Sequence, residues 1–124
     1  MTVRLYDQRV AAYPGLFVAT EGFRMSRLNS AKDLRAHVSN TLEQVEQWGA
    51  KEGLVLSDVA YARLLDLRMA VRRLLQDVSD EQGVQKLKEE VWTCKNRLRG
   101  AIRADLGLLF DEDRSADTSS APSG

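Results

Sequence analysis

The sequence predicts an all-α fold, a four-helix-bundle-like single domain over residues 1–110 followed by an acidic, polar tail over 111–124. Three observations carry that expectation. Apolar residues recur at spacings of three and four through several separate stretches, the period of helices that each bury one stripe. Serines stand at the starts of two of those stretches, where a hydroxyl satisfies the free amides of a first turn. The chain has 124 residues, 44% of them hydrophobic, enough to bury a core without disulfide or metal staples.

Residues 3–28 form the first stretch. Val3, Tyr6, Val10 and Tyr13 have helical spacing, and the pattern then meets Tyr13-Pro14-Gly15. Proline removes a backbone donor and glycine loosens the chain, so the N-terminal helix is expected to break near Pro14. Leu16, Phe17, Thr20 and Phe23 carry the period on towards Leu28, weakened by Gly22.

Ser30, with Asp33 three residues on, reads as a capping box that opens a helix over residues 31–49. Leu34, Val38, Thr41, Leu42, Val45 and Trp48 mark its single buried stripe. Gly49 or Gly53 is expected to supply the left-handed residue that closes it.

Ser57 caps the next helix, which runs to about residue 78. Its main stripe is Ala60, Leu64, Leu67, Val71, Leu74, Leu75 and Val78. Arg63 with Asp66, and Arg73 with Asp77, are expected to pair along the helix. A second apolar set, Tyr61, Leu65 and Met69, lies to another side, flanked by Arg68 and Arg72. Either residues 3–28 fold over that side or a partner covers it.

Ser79, Asp80 and Gly83 mark a loop short enough to make the last two helices antiparallel neighbours. The final helix, residues 81–109, carries three differently dressed faces. Val84, Leu87, Val91, Cys94, Leu98, Ile102 and Leu109 form its apolar stripe. Lys88, Trp92, Lys95, Arg99 and Arg103 form a basic stripe with one aromatic. Thr93, Asn96, Gly100, Ala104 and Gly107 are mostly small. Lys95 and Asp105 fall within or at the edge of the apolar stripe, where a charge needs a partner or an opening to water.

The formal charge is zero, with 18 basic and 18 acidic residues. Four acids against one arginine after residue 110 leave the body mildly basic, far from the strong positive charge that by itself announces a nucleic-acid binder. The tail has nothing to bury and is expected to be disordered. No apolar run approaches the ~20 residues of a membrane span, and the charged N-terminus lacks the centre of a secretory signal. A cytoplasmic protein is the expectation. The single cysteine, Cys94, lies in the apolar stripe and is read as a core residue.

No catalytic constellation assembles from these residues: there is no phosphate-binding glycine loop, no paired histidines or cysteines, and no nucleophile with a recognisable base. The chain is therefore read as a non-enzyme with no cofactor and no metal. His37, the only histidine, is read as a boundary residue of the Leu34 helix. The expected function is a non-enzymatic interaction or assembly module that docks on itself or on a larger protein complex. Its partner-binding residues are Tyr61, Leu65, Arg68, Met69 and Arg72, together with Gly100 and Gly107, where two glycines on one helix face suit the close approach of another backbone. The alternative is nucleic-acid binding through Lys88, Trp92, Lys95, Arg99 and Arg103, the cations tracking phosphates and the indole stacking on a base.

Overall fold

The computed structural model describes residues 3–77 and 81–107. It is an all-α bundle of four long helices and one short one: α1 (Val3–Ala19), α2 (Met25–Ser30), α3 (Leu34–Glu52), α4 (Asp58–Asp77) and α5 (Glu81–Asp105), with 3-10 turns at Glu21–Phe23 and Gly53–Val55. The expected tail 111–124, the loop residues Ser79 and Asp80, and Val78 and Leu109 lie outside the described residues. No helix among the described residues is long and apolar enough to cross a membrane.

The closest pairing is the α4–α5 hairpin. Leu64, Leu67, Ala70, Val71 and Leu74 of α4 meet Val91, Cys94, Leu98 and Ile102 of α5 in one core cluster. Apart from Ala70, these belong to the stripes that helical periodicity marks. From α3, the expected Val38, Leu42, Val45 and Trp48 join them, with Leu34 partly buried at the edge. Each such valine, leucine or isoleucine taken out of water contributes about 1.5–3 kcal/mol.

The N-terminal segment is broken, as expected, but elsewhere. α1 continues through Pro14 to Ala19, and the interruption falls at the 3-10 turn Glu21–Phe23. Proline cannot donate to the Val10 carbonyl, but Val10 is exposed, so the helix runs on with that acceptor on its solvent side. Gly15 brings the next turn against Trp48: a methyl added there lies 3.2 Å from the indole. Trp48 Nε1 donates to the Ala12 carbonyl at 2.9 Å.

The buried face of α1 also differs from the expected one. The expected Tyr13 and Leu16 face inward, but Val3, Tyr6 and Val10 are exposed, and Arg9, Ala12 and Ala19 are buried in their place. The reason lies in distant acceptors. Arg9 Nε donates to the Val55 carbonyl at 2.6 Å, and Tyr13 Oη lies 3.2 Å from the same carbonyl.

Caps account for the remaining shifts. Asp33, not Ser30, caps α3 by accepting from Ala36 N at 3.1 Å, so that helix starts later than expected and Ser30 instead ends α2. α3 passes through Gly49, and Gly53 takes a right-handed φ of −60°, so neither glycine is the left-handed closure. The chain tightens into the Gly53–Val55 turn instead. Ser57 caps α4 as expected, accepting from Ala60 N at 3.1 Å. Gly83 belongs to α5 rather than to a loop. α5 stops at Asp105, four residues short of its expected end, and Gly107 at φ 76° supplies the left-handed position that ends it.

Candidate interaction surface

α4 buries Ala60, Leu64, Leu67, Ala70, Val71 and Leu74. On the side turned away from that core, Tyr61, Leu65 and Met69 remain 51%, 37% and 56% exposed. They are spaced by four residues and so form one ridge along the helix. Residues 3–28 do not cover it: α1 packs on α3 and the Gly53–Val55 turn, and α2 and the Glu21–Phe23 turn pack on α3 and α5.

The ridge runs into a cleft at the start of α4. Gly49, Ala50 and Lys51 of α3, Gly53, Leu54 and Leu56 of the connecting turn, and Asp58 and Tyr61 line a hollow of about 540 Å³. Methyl groups added at Gly49 or Gly53 meet no atom within 4 Å, so this wall is open backbone. Leu54 is fully exposed at 101%. Its spacing belongs to no helical stripe, and only the turn geometry places it beside Tyr61.

Ion pairs rim the ridge on both sides. Towards α3, Glu46 accepts from Arg68 at 2.9 Å and lies 3.4 Å from Arg72, which fixes two of the expected partner-binding residues at the edge of the apolar strip. Arg68 Nε is buried without a hydrogen-bond partner. Towards α5, Arg73 Nε donates to Glu90 at 2.7 Å, an interhelical pair in place of the expected Arg73–Asp77. Arg63 and Asp66 pair as expected, at 3.3 Å. Met69 shares a hollow with Asp66, Arg73, Glu90, Cys94 and Arg97. Burial, with Glu90 and Asp66 nearby, pushes the Cys94 thiol above its usual range, so it stays protonated and behaves as a core side chain.

Gly100 and Gly107, the other two expected partner-binding residues, meet no neighbour among the described residues. A methyl added at Gly100 or at Gly107 meets no atom within 4 Å, and Gly107 ends α5. Neither is near the Tyr61 ridge in sequence or on a shared helix face, so the expected partner-binding set divides.

Comparisons with protein families, with curated proteins and with solved structures gave no match. The chemistry of the surface therefore stands on its own geometry.

The basic stripe of α5 is taken apart by packing. Lys95 is only 4% exposed. Arg99 stacks over the Phe17 ring at 4.8 Å, approaches Glu21 at 3.7 Å and has its Nε buried without a partner. Lys88 donates to Asn29 Oδ1 at 3.2 Å. These three line the seam between α5 and the Glu21–Ser30 segment. Trp92, 42% exposed, shares a shallow hollow with Met25, Glu89 and Thr93, and Arg103 is exposed. The five residues do not present one continuous track of free cations.

A polar cluster ties the opposite end of the bundle. Asp105 Oδ2 accepts from Tyr13 Oη and from Ser57 Oγ, each at 2.8 Å. The same serine caps α4, so one carboxylate joins α1, the start of α4 and the end of α5. His37 has a parallel role at the Glu21–Phe23 turn: its Nε2 donates to the Gly22 carbonyl at 2.7 Å. Both sets of groups are consumed in holding elements together. Among the described residues, no group of three or more His, Cys, Asp or Glu side chains is placed to hold a metal ion.

Proposed function

We propose that this protein is a helical interaction module that docks through the outer face of α4. One observation carries the reading: Tyr61, Leu65 and Met69 form an exposed ridge on a helix whose other side is fully committed to the core. Tyrosine and methionine are enriched in interfaces, and an apolar ridge continuous with Leu54 and rimmed by ion pairs has the anatomy of a binding patch. The nucleic-acid alternative draws less support, since Lys95 and Arg99 are engaged in an internal seam.

Association of the purified protein, followed by light scattering across concentration and by binding to a candidate partner, tests the reading. Tyr61→Ala with Met69→Ala is expected to abolish association while leaving the thermal midpoint nearly unchanged. Loss of stability with no change in association overturns it. For the alternative, filter binding at low salt gives the decision: salt-sensitive retention of DNA or RNA that Trp92→Ala and Arg103→Ala remove would support it.

A further inference from the structure

The outer face of α4 is symmetric about Leu65 in a way that bears on what covers it. Asp58 and Arg72 stand seven residues before and after Leu65, and Tyr61 and Met69 stand four residues before and after. At about 100° per residue all five lie within roughly 40° of one line along the helix. Asp58 is exposed and makes no ion pair among the described residues. Arg72 is exposed and, among the described residues, its one ion pair is the outer, 3.4 Å contact to Glu46.

We infer that the occupant of this face is a second copy of the chain, its α4 antiparallel to the first, with Leu65 of both copies on the twofold axis. The inference rests on the docking reading above and specifies its partner. In that register Asp58 faces the other copy's Arg72 at both ends, Tyr61 faces Met69, and Leu65 meets itself. An isologous contact requires this reciprocity, in which residue i meets j and j meets i. The thioether against the tyrosine ring is a favourable pairing. A parallel arrangement instead sets Asp58 against Asp58 and Arg72 against Arg72. Like charges juxtaposed in this way disfavour that register. The antiparallel order also opposes the two helix dipoles, with each acid near a helix start and each arginine towards the end.

The test uses the full chain in a sedimentation concentration series. A dimer is expected, weakened at least about tenfold by Leu65→Arg, which places two cations on the axis. Asp58→Arg and Arg72→Asp are each expected to weaken it several-fold, and the double exchange to restore affinity to within about twofold of the original. Circular dichroism melts confirm that each variant is folded. A short bifunctional maleimide is expected to link Leu65→Cys to itself, and Tyr61→Cys to Met69→Cys in a mixture but not to itself; the unmodified chain, with Cys94 buried, is the control. A monomer at every concentration overturns the inference, and so does a dimer whose charge exchange gives no rescue or whose Tyr61→Cys links to itself. Both leave the docking reading open to a different partner or register. A dimer indifferent to Leu65→Arg overturns the inference and removes self-association as support for the docking reading.

Discussion

Tyr13 Oη donates to Asp105 Oδ2 at 2.8 Å, joining residues 92 positions apart in the chain. The same oxygen accepts from Ser57, so α1, the start of α4 and the last residue of α5 are tied through one carboxylate. Tyr13→Phe removes the hydroxyl and leaves Asp105 with Ser57. It is expected to cost about 1.5–3 kcal/mol in urea denaturation, the range for a hydrogen bond to a charged group. Asp105→Asn combined with Tyr13→Phe is expected to cost less than the two single effects added, because the residues share one interaction. Strict additivity would show that the bond contributes nothing.

The same tyrosine sets an alkaline limit. Burial, then the bond to Asp105 and its negative charge, raise the Tyr13 phenol above its ordinary 10.0. Below that pH the phenol is protonated in both states and its bonds stand. Above it the unfolded chain gives up the proton while the folded chain keeps it, so unfolding is favoured as pH rises. Stability is expected to fall above pH 10 with a component that Tyr13→Phe lacks, measured as the difference between the two proteins' denaturation midpoints.

Two glycines should respond oppositely to the same added methyl. At Gly22 it lands 2.3 Å from Thr41 Oγ1 and 2.8 Å from Cγ2, pushing the 3-10 turn off α3 and straining the His37 bond to the Gly22 carbonyl. Gly22→Ala is expected to destabilise by about 1–3 kcal/mol. Gly100 sits inside α5 with open space around it, so Gly100→Ala is expected to stabilise by up to about 1 kcal/mol. Thermal melts of the two variants check both signs.

Lys95 should be a liability at neutral pH. Burial, then Arg99 and Arg24, push its amine below the ordinary 10.5, with Glu21 opposing. While the lysine is charged in both states, the folded chain bears the cost. As pH rises through the lowered value towards 10.5, the folded amine loses its proton first and the cost lifts. Lys95→Met is expected to raise stability by about 1 kcal/mol at pH 7, with a gain that shrinks as pH rises towards 10.5 and is gone above it. Glu21 keeps Arg24 at 3.0 Å and Arg99 at 3.7 Å, so the substitution strands no acid. A loss of stability at pH 7 would show that Lys95 supplies a net favourable contact.

Much of the core was legible in the sequence because a helix buries residues at a fixed period. The stripes of α3, α4 and α5 follow that rule, and the charges at Lys95 and Asp105 stood out because they interrupt it. In α1 the same period misleads in part: Val3, Tyr6, Val10 and Tyr13 share the spacing, yet of these only Tyr13 goes inward, and Arg9 joins it because its polar end finds Val55. The basic stripe of α5 likewise has the spacing of a surface face, and the Glu21–Ser30 segment covers much of it.

The sequence by itself determined the helical class, the Ser57 cap and the apolar ridge Tyr61, Leu65 and Met69, since local capping and periodicity depend only on neighbours a few residues away. Tertiary structure decided that α1 runs through Pro14, that Lys95 and Arg99 lie in a seam, and that nothing within residues 3–28 covers the α4 ridge. Those outcomes depend on which distant acceptors and surfaces meet, and no local spacing encodes that meeting.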